Sequence, residues 1–379
     1  MQEQLKRVLI VGMGVLAGDV LDFLSQSQQR LDIIIGARNP DAALLRVNLA
    51  RYSALNLGFT PQISVIRLDL MEIEETADAI DRLKPDIIFN AATLQSWWAI
   101  TKLPRPAFDR LDRARGGIWT PMHMVLVRRL MKAVRACGSR AMVINASYPD
   151  VVNAALASEG LAPAVGIGNV ANAVPGLRLA AAYLFDSLPA SISVRFFAHH
   201  YLSYRMPSSG VTDGAPYHLT IYIDGQRVDT DARDEQALFE LVAGQFRRTK
   251  GLAGQSVTAS SATAVILAGA RASGDVVHAP GPMGLVGGYP VRFSKDGLLV
   301  ELPPGLTLDR AVAINREAQR YDGIEDVDDD GTVSFTPEVV EIAKTELGYE
   351  CAAFLPAECE AMAYELGARY AEYSQRFAA

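Results

Sequence analysis

Short apolar runs at residues 8–11, 33–35, 63–66, 87–89 and 142–144, interrupted only by Ser64, punctuate the first part of the chain. They lack the alternation of a half-exposed strand, which is the pattern of strands covered on both faces. Apolar residues recur at helical spacing between them, at 18–25, 42–55, 73–83 and 117–136. The last of these helices carries Pro121 near its start, where a missing N–H leaves no bond unmade. Strand and helix in this rhythm predict right-handed crossovers and a doubly wound parallel sheet, an α/β domain over residues 1–150.

The rhythm changes after Asp150. Strand patterns at 192–197 and 218–223 precede helical patterns at 235–246 and 261–272. A hairpin follows, 290–293 with 298–302, turning on Lys295-Asp296-Gly297. Helical patterns at 308–321, 337–347 and 357–377 end the chain. Residues 151–379 therefore read as an α+β catalytic domain, with no internal repeat or low-complexity segment. A length of 379 residues supports two domains, since single cores stop growing at roughly 250–300.

Composition narrows the function classes. The net charge of −7 includes no Lys/Arg block, which argues against nucleic acid or an acidic membrane as partner. Cys137, Cys351 and Cys359 have neither metal-ligand nor redox spacing, so no metal site is expected and the thiols fit a reducing compartment. The opening MQEQLKRVLIVG lacks the apolar region of a signal peptide, and no apolar run reaches the ~18–20 residues that span a bilayer. A cytoplasmic enzyme of small molecules, assembled as a homodimer or homotetramer, is the expectation.

The first candidate chemistry is the turn Gly12-Met13-Gly14-Val15-Leu16-Ala17 between the first strand and first helix. One glycine permits the tight turn, the second admits a pyrophosphate, and Ala17 lets helix pack on strand. The backbone of Gly12, Gly14, Val15 and Leu16 would then hold a dinucleotide in a Rossmann domain. The second strand ends in Gly36-Ala37-Arg38-Asn39, without the carboxylate that commonly holds the adenosine ribose of NAD. Arg38 favours the 2′-phosphate of NADP, unless it only stacks on adenine, which is compatible with NAD. Asp69, after the third strand, and Asn90-Ala91-Ala92, after the fourth, are either further cofactor contacts or ordinary strand-end caps.

Two families share phrases with this chain. Arg67-Leu68-Asp69-Leu70 and Lys84-Pro85-Asp86-Ile87-Ile88-Phe89-Asn90-Ala91-Ala92 resemble extended short-chain dehydrogenases and saccharopine-dehydrogenase-type proteins. The short-chain mechanism needs Tyr-x-x-x-Lys, and no tyrosine here has lysine four residues on. Residues 141–205 resemble the lactate/malate dehydrogenase superfamily. The phrases are Asn145-Ala146-Ser147-Tyr148-Pro149-Asp150, Gly166-Ile167-Gly168-Asn169, a helix carrying Arg178, and Ser193-Val194-Arg195-Phe196-Phe197 followed by His199-His200. The resemblance implies that Asn145 contacts cofactor and substrate, that Arg178 pairs with a substrate carboxylate, and that His199 or His200 is the general acid/base. A histidine can deliver a proton near neutral pH to the alkoxide that hydride transfer leaves. The bland alternative is a surface or core histidine pair.

Within residues 141–205 the chain departs from that family in lacking the Asp-x-x-Arg phrase whose Asp orients the histidine; Asp150 is a weak substitute. Trp97-Trp98 stands where the family has a polar lid, and reads as a lid over an apolar substrate or as a subunit contact; Arg105 and Arg110 lie further along. Residues 281–289 are glycine-rich and form either an active-site wall or a connector. Residues 326–331 match the opening of a calcium loop, but Pro337 stands at the closing ligand position, and an acidic turn explains the run more simply. The expected function is NADP(H)-dependent (NAD possible) hydride transfer at a carbonyl or alcohol of a small anionic substrate. The alternatives are reduction of an imine joining an amino acid to a keto acid, and a dinucleotide sensor without turnover.

Overall fold

A six-stranded parallel sheet in the order β3-β2-β1-β4-β5-β6 organises the computed structural model, which describes residues 5–377 apart from the Trp97 side chain. Its elements run β1 (Lys6–Val11), α1 (Val15–Ser25), β2 (Leu31–Ala37), α2 (Pro40–Asn56), β3 (Gln62–Arg67), α3 (Ile73–Leu83) and β4 (Ile87–Asn90). There follow α4 (Arg105–Asp112), α5 (Thr120–Ala136), β5 (Met142–Asn145), α6 (Pro149–Ala157) and β6 (Val165–Gly166). The apolar runs form the central strands: Val8 to Val11, Ile33 to Ile35 and Ile87 to Phe89 are nearly inaccessible on both faces. Only the edge strand β3 shows alternating exposure. The order reverses between β1 and β4, whose ends Val11 and Asn90 are register partners. A crevice at such a reversal is where ligands bind in open α/β sheets.

The remaining elements are α7 (Val170–Leu184), β7 (Ile192–Phe197), α8 (His200–Ser209), β8 (His218–Ile223), β9 (Gln226–Val228), α9 (Ala232–Ala243) and α10 (Gln255–Arg271). Then come β10 (Val276–Pro280), β11 (Gly288–Ser294), β12 (Gly297–Val300), α11 (Leu308–Ala318), β13 (Ile324–Val327), β14 (Val333–Phe335), α12 (Pro337–Ile342), β15 (Ala353–Phe354) and α13 (Cys359–Gln375). Three small antiparallel sheets, β7-β8-β9, β10-β11-β12 and β13-β14-β15, make the second half.

The expected boundary at residue 150 needs correction. β6 lies beyond it, and α10 returns to pack on α1, with Ala259, Ala262 and Ile266 sharing one core with Val20 and Leu21. A sheet strand only two residues long carries no periodic signal, and an Ala-rich helix does not announce which layer it joins. The 326–331 run is the end of β13 and the turn that leads to β14 rather than a loop between helices, and Asp330 Oδ1 accepts from the Thr332 N–H.

An isolated bridge joins the small sheets near the site. Ala198 and Gly288 exchange backbone hydrogen bonds of 3.3 and 3.1 Å. A Cβ on Gly288 would lie 2.4 Å from Val170 Cγ1 and 2.8 Å from the Ala198 oxygen, so the close approach requires glycine. The glycine-rich run thereby clamps the end of β7 and fixes where residues 199 and 200 emerge. No helix among the described residues is long and apolar enough to cross a membrane.

Candidate active site

At the crevice, Gly12 turns the chain in a left-handed conformation (φ 89°), and its N–H reaches the Gly36 oxygen at 2.9 Å. A Cβ there would meet the Ala92 backbone at 3.2 Å, whereas one on Gly14 would meet nothing within 4 Å. Gly14 caps α1 without a side-chain bond, and the first turn holds no acidic residue. The first N–H groups of α1, at Val15 and Leu16, therefore face open space without a competing carboxylate, as a phosphate requires. These residues fit the pyrophosphate of a dinucleotide.

Leu68 fills the space beside Gly36: its Cδ2 lies 2.7 Å from where a Cβ would stand, leaving no room for a carboxylate. Arg38 is exposed and has no ion-pair partner among the described residues, while Asn39 caps α2 through the Ala42 N–H at 3.0 Å. Asp69 accepts from the Met71 N–H at 3.0 Å, a turn that leads into α3. Ala91 and Ala92 remain partly accessible.

Three expected contacts are corrected. Asn145 is fully buried, and its amide donates to the Ser147 oxygen (3.1 Å) and Asn153 Oδ1 (3.0 Å). Its Oδ1 accepts from the Ser147 N–H (2.9 Å) and Asn90 Nδ2 (3.2 Å), which completes its bonding capacity. Asn90 is also fully buried and ties the Ala92 backbone. Both hold the loops after β4 and β5 in place; Asn145 has no group left for a substrate, and both amide hydrogens of Asn90 are spent on Ala92 and Asn145. Arg178 donates to the Ile192 (3.1 Å) and Pro189 (2.8 Å) oxygens, at the opposite end of β7 from the histidines, so it is no partner for a carboxylate at their end. Arg105 pairs with Asp109, and Arg110 with Glu346.

The two histidines differ sharply. His199 is fully buried, and neither ring nitrogen has a partner among the described residues. Burial lowers its pKa, keeping it neutral, against the pull of Asp150. His200 opens α8, keeps 27% of its side chain exposed, and places Nδ1 2.7 Å from Asp322 Oδ2. Burial alone would lower the His200 pKa, but the Asp322 carboxylate and its hydrogen bond outweigh that and raise it. Asp322 is fully buried and also accepts from Tyr148 (2.6 Å) and Tyr204 (3.3 Å). Burial pushes the Asp322 pKa up, yet His200 and the donated bonds hold it below the usual value, so it is a carboxylate. Asp150 bonds Asn169 and is not the partner of His200.

Tyr148 has a left-handed backbone (φ 43°), uncommon for a bulky residue and typical of functional sites. Its ring packs edge-on against His200 at 5.5 Å and lies 6.0 Å from His123. His123, on α5, sets Nδ1 3.1 Å from Thr93 Oγ1 and 3.2 Å from Ser147 Oγ. Beyond β4 and β5, His123, Thr93, Ser147, Tyr148 and His200 thus form one contiguous cluster. Asp322, Tyr148, Tyr204 and His123 escape sequence reasoning because they come from four separate segments. In the sequence Asp322 is one acid among several after α11, at the end of Gln319-Arg320-Tyr321-Asp322, and nothing in its spacing marks it. The 97–102 segment forms a 3₁₀ turn, with Lys102 Nζ 4.7 Å over the Trp98 ring and Tyr370 bonded to the Ala99 oxygen.

No protein-family model matches the chain, and no curated protein matches it. Solved structures do. Lactate dehydrogenase from Eimeria maxima, determined with NADH and oxamate, is 12% identical with a TM-score of 0.56, covering 84% of this chain and 91% of that one. Malate dehydrogenase from Cryptosporidium parvum is 14% identical with a TM-score of 0.53, covering 84% and 99%. Lactate dehydrogenase from the same organism, complexed with lactic acid and nicotinamide adenine dinucleotide, is 14% identical with a TM-score of 0.52, covering 85% and 99%. At these identities the likeness is one of fold: the chain has the lactate/malate dehydrogenase architecture, with its nucleotide-type sheet and a second α+β domain.

Proposed function

We propose that the protein is a nicotinamide-dinucleotide-dependent oxidoreductase that moves hydride between the cofactor and a carbonyl or alcohol carbon, with His200 as proton donor and acceptor. The observation that carries this reading is the His200–Asp322 pair, set against Tyr148 beyond β5, on a fold whose neighbours were solved with such cofactors. When bound, the reduced cofactor supplies the hydride. As the carbonyl carbon accepts it, the oxygen takes the proton from His200 Nε2, while Nδ1–H stays on Asp322. The carboxylate holds the ring in one orientation and stabilises its charged form.

Gly12, Gly14, Val15 and Leu16 would hold the pyrophosphate, and Ala91 and Ala92 would border the ribose on the nicotinamide side. NADP is the preferred form in this proposal, because Leu68 fills the space beside Gly36 where a carboxylate would stand and the exposed Arg38 has no ion-pair partner among the described residues. Dinucleotide binding by fluorescence, followed by oxidation of NADPH across a carbonyl panel, tests the reading. Binding without oxidation of any substrate would mark a sensor instead.

A further inference from the structure

His123 is the second histidine of the cleft, and its hydrogen can be placed from heavy atoms alone. Ser147 Oγ donates to the His123 carbonyl oxygen at 3.0 Å. Thr93 Oγ1 has carbonyl acceptors on both Gln95 and Met122, each at 3.2 Å. A hydroxyl has one hydrogen, so with these bonds made both oxygens can only accept from His123 Nδ1, which must carry the N–H. Burial, aided by the charge of His200, pushes the His123 pKa down to about 4, and a neutral imidazole has a single N–H. Its Nε2 is then a bare lone pair, without a partner among the described residues, on a half-buried ring.

His200 has the opposite polarity. Asp322 can only accept, so Nδ1 carries a hydrogen, and the charged ring also presents Nε2–H. The site thus offers one donor and one acceptor from two rings that both lie against Tyr148, with centroids 5.5 and 6.0 Å from its own.

We infer that the substrate is a carbonyl compound with a hydroxyl on the neighbouring carbon, an α-hydroxy ketone or aldehyde, whose C=O accepts from His200 and whose O–H donates to His123 Nε2. The assignment rests on the oxidoreductase reading for the reacting carbon. Hydride at that carbon and a proton from His200 give a vicinal diol. A 2-keto acid fits worse, because its carboxylate would set lone pairs against the lone pair of His123. An ammonium group on the neighbouring carbon would meet the charge of His200. Arg115 does not rescue the acid: with Arg113 and Arg320 it lines a cavity of about 610 Å³ to which none of His123, Tyr148, His200 or Asp322 contributes.

The test uses the full chain labelled with ¹⁵N-histidine and three substrates of one carbon skeleton: hydroxyacetone, acetone and pyruvate. Nitrogen spectra should show His123 neutral with hydrogen on Nδ1. Hydroxyacetone, added to the NADP-saturated protein, should move the His123 Nε2 signal, and acetone should not. In turnover, kcat/KM for hydroxyacetone should exceed that for acetone roughly tenfold. H123F should erase that ratio, and H123Q, which returns an acceptor oxygen, should restore part of it. A cationic His123, hydrogen on Nε2, or preference for pyruvate or acetone overturns the inference. A hydroxyacetone-specific shift without oxidation of NADPH by any of the three supports the two-histidine recognition and overturns hydride transfer instead.

Discussion

His200 Nδ1 and Asp322 Oδ2 lie 2.7 Å apart although 122 residues separate them in the chain. One opens α8 at the end of β7; the other ends the short 3₁₀ turn after α11. Tyr148 and Tyr204 complete the shell around the carboxylate, so an acid buried among aromatic rings stays ionised and correctly turned. Gly116 permits this closeness, since a Cβ there would stand 3.2 Å from Asp322 Oδ2.

The two histidines should separate by mutation. His200→Gln is expected to lower kcat by roughly 10²–10⁴-fold, the usual contribution of a general acid, with dinucleotide affinity retained. His199→Leu removes no hydrogen bond and should keep kcat within about threefold, with a melting temperature close to the parent's. Steady-state kinetics and thermal melts of both variants check this, and equal losses of kcat would sink the assignment.

Stability should depend on pH through the same pair. The fold raises the His200 pKa above its ordinary 6.5, so this contribution is complete below 6.5 and fades as pH rises through the folded value. Asp322 is shifted below its ordinary 3.8, so its contribution is present above 3.8 and fades as pH falls through the folded value. Melting curves of the parent and His200→Gln should therefore converge on the alkaline side of neutrality and diverge below it. A constant gap across that range would contradict the coupling.

In the proposed mode of binding, cofactor choice turns on Arg38. A guanidinium on a 2′-phosphate is a charge-assisted contact worth about 1.5–3 kcal/mol. Arg38→Ala should therefore weaken NADPH by roughly tenfold or more and leave NADH within about twofold, as read by fluorescence titration. Equal losses for the two would leave Arg38 as an adenine stack.

Gly288 is the steric key to the second domain. Gly288→Ala forces a methyl into Val170 and the Ala198 oxygen, an overpacking expected to cost about 1–3 kcal/mol. Because Ala198 precedes the histidines, kcat should fall along with the melting temperature. Calorimetry and kinetics on the same preparation would show it, and an unchanged kcat would detach the bridge from the site.

The Rossmann half was largely legible because its signals are local. Apolar runs covered on both faces mark strands β1, β2, β4 and β5, and Gly12 and Gly14 sit where the turn needs them. The second half was legible in its long strands and helices but not in its contacts. Arg178 and Asn145 were assigned by phrase order, yet the backbone oxygens of Ile192 and Pro189 hold the first, and an asparagine ladder holds the second. The histidine pair stood out by its position after β7. Its partner could not, because Asp322 reaches it only through tertiary packing, and His123, the other histidine against Tyr148, lies on a helix that reads as core. Local chemistry is written in spacing; a site assembled from α5, β5, α8 and the turn after α11 is not.

In the proposed mechanism, Asp322 tunes His200 as the proton donor of a dinucleotide-coupled reduction. The pH dependence of kcat/KM for NADPH-dependent carbonyl reduction, in the parent and in Asp322→Asn, tests it most directly. In the parent, activity should hold through neutral pH and fall as pH rises through the raised His200 pKa. Asp322→Asn should shift that falling limb to lower pH and lower the plateau by roughly 10²-fold or more. A limb that stays in place in the variant, or a parent that reduces no carbonyl at any pH, would contradict the account.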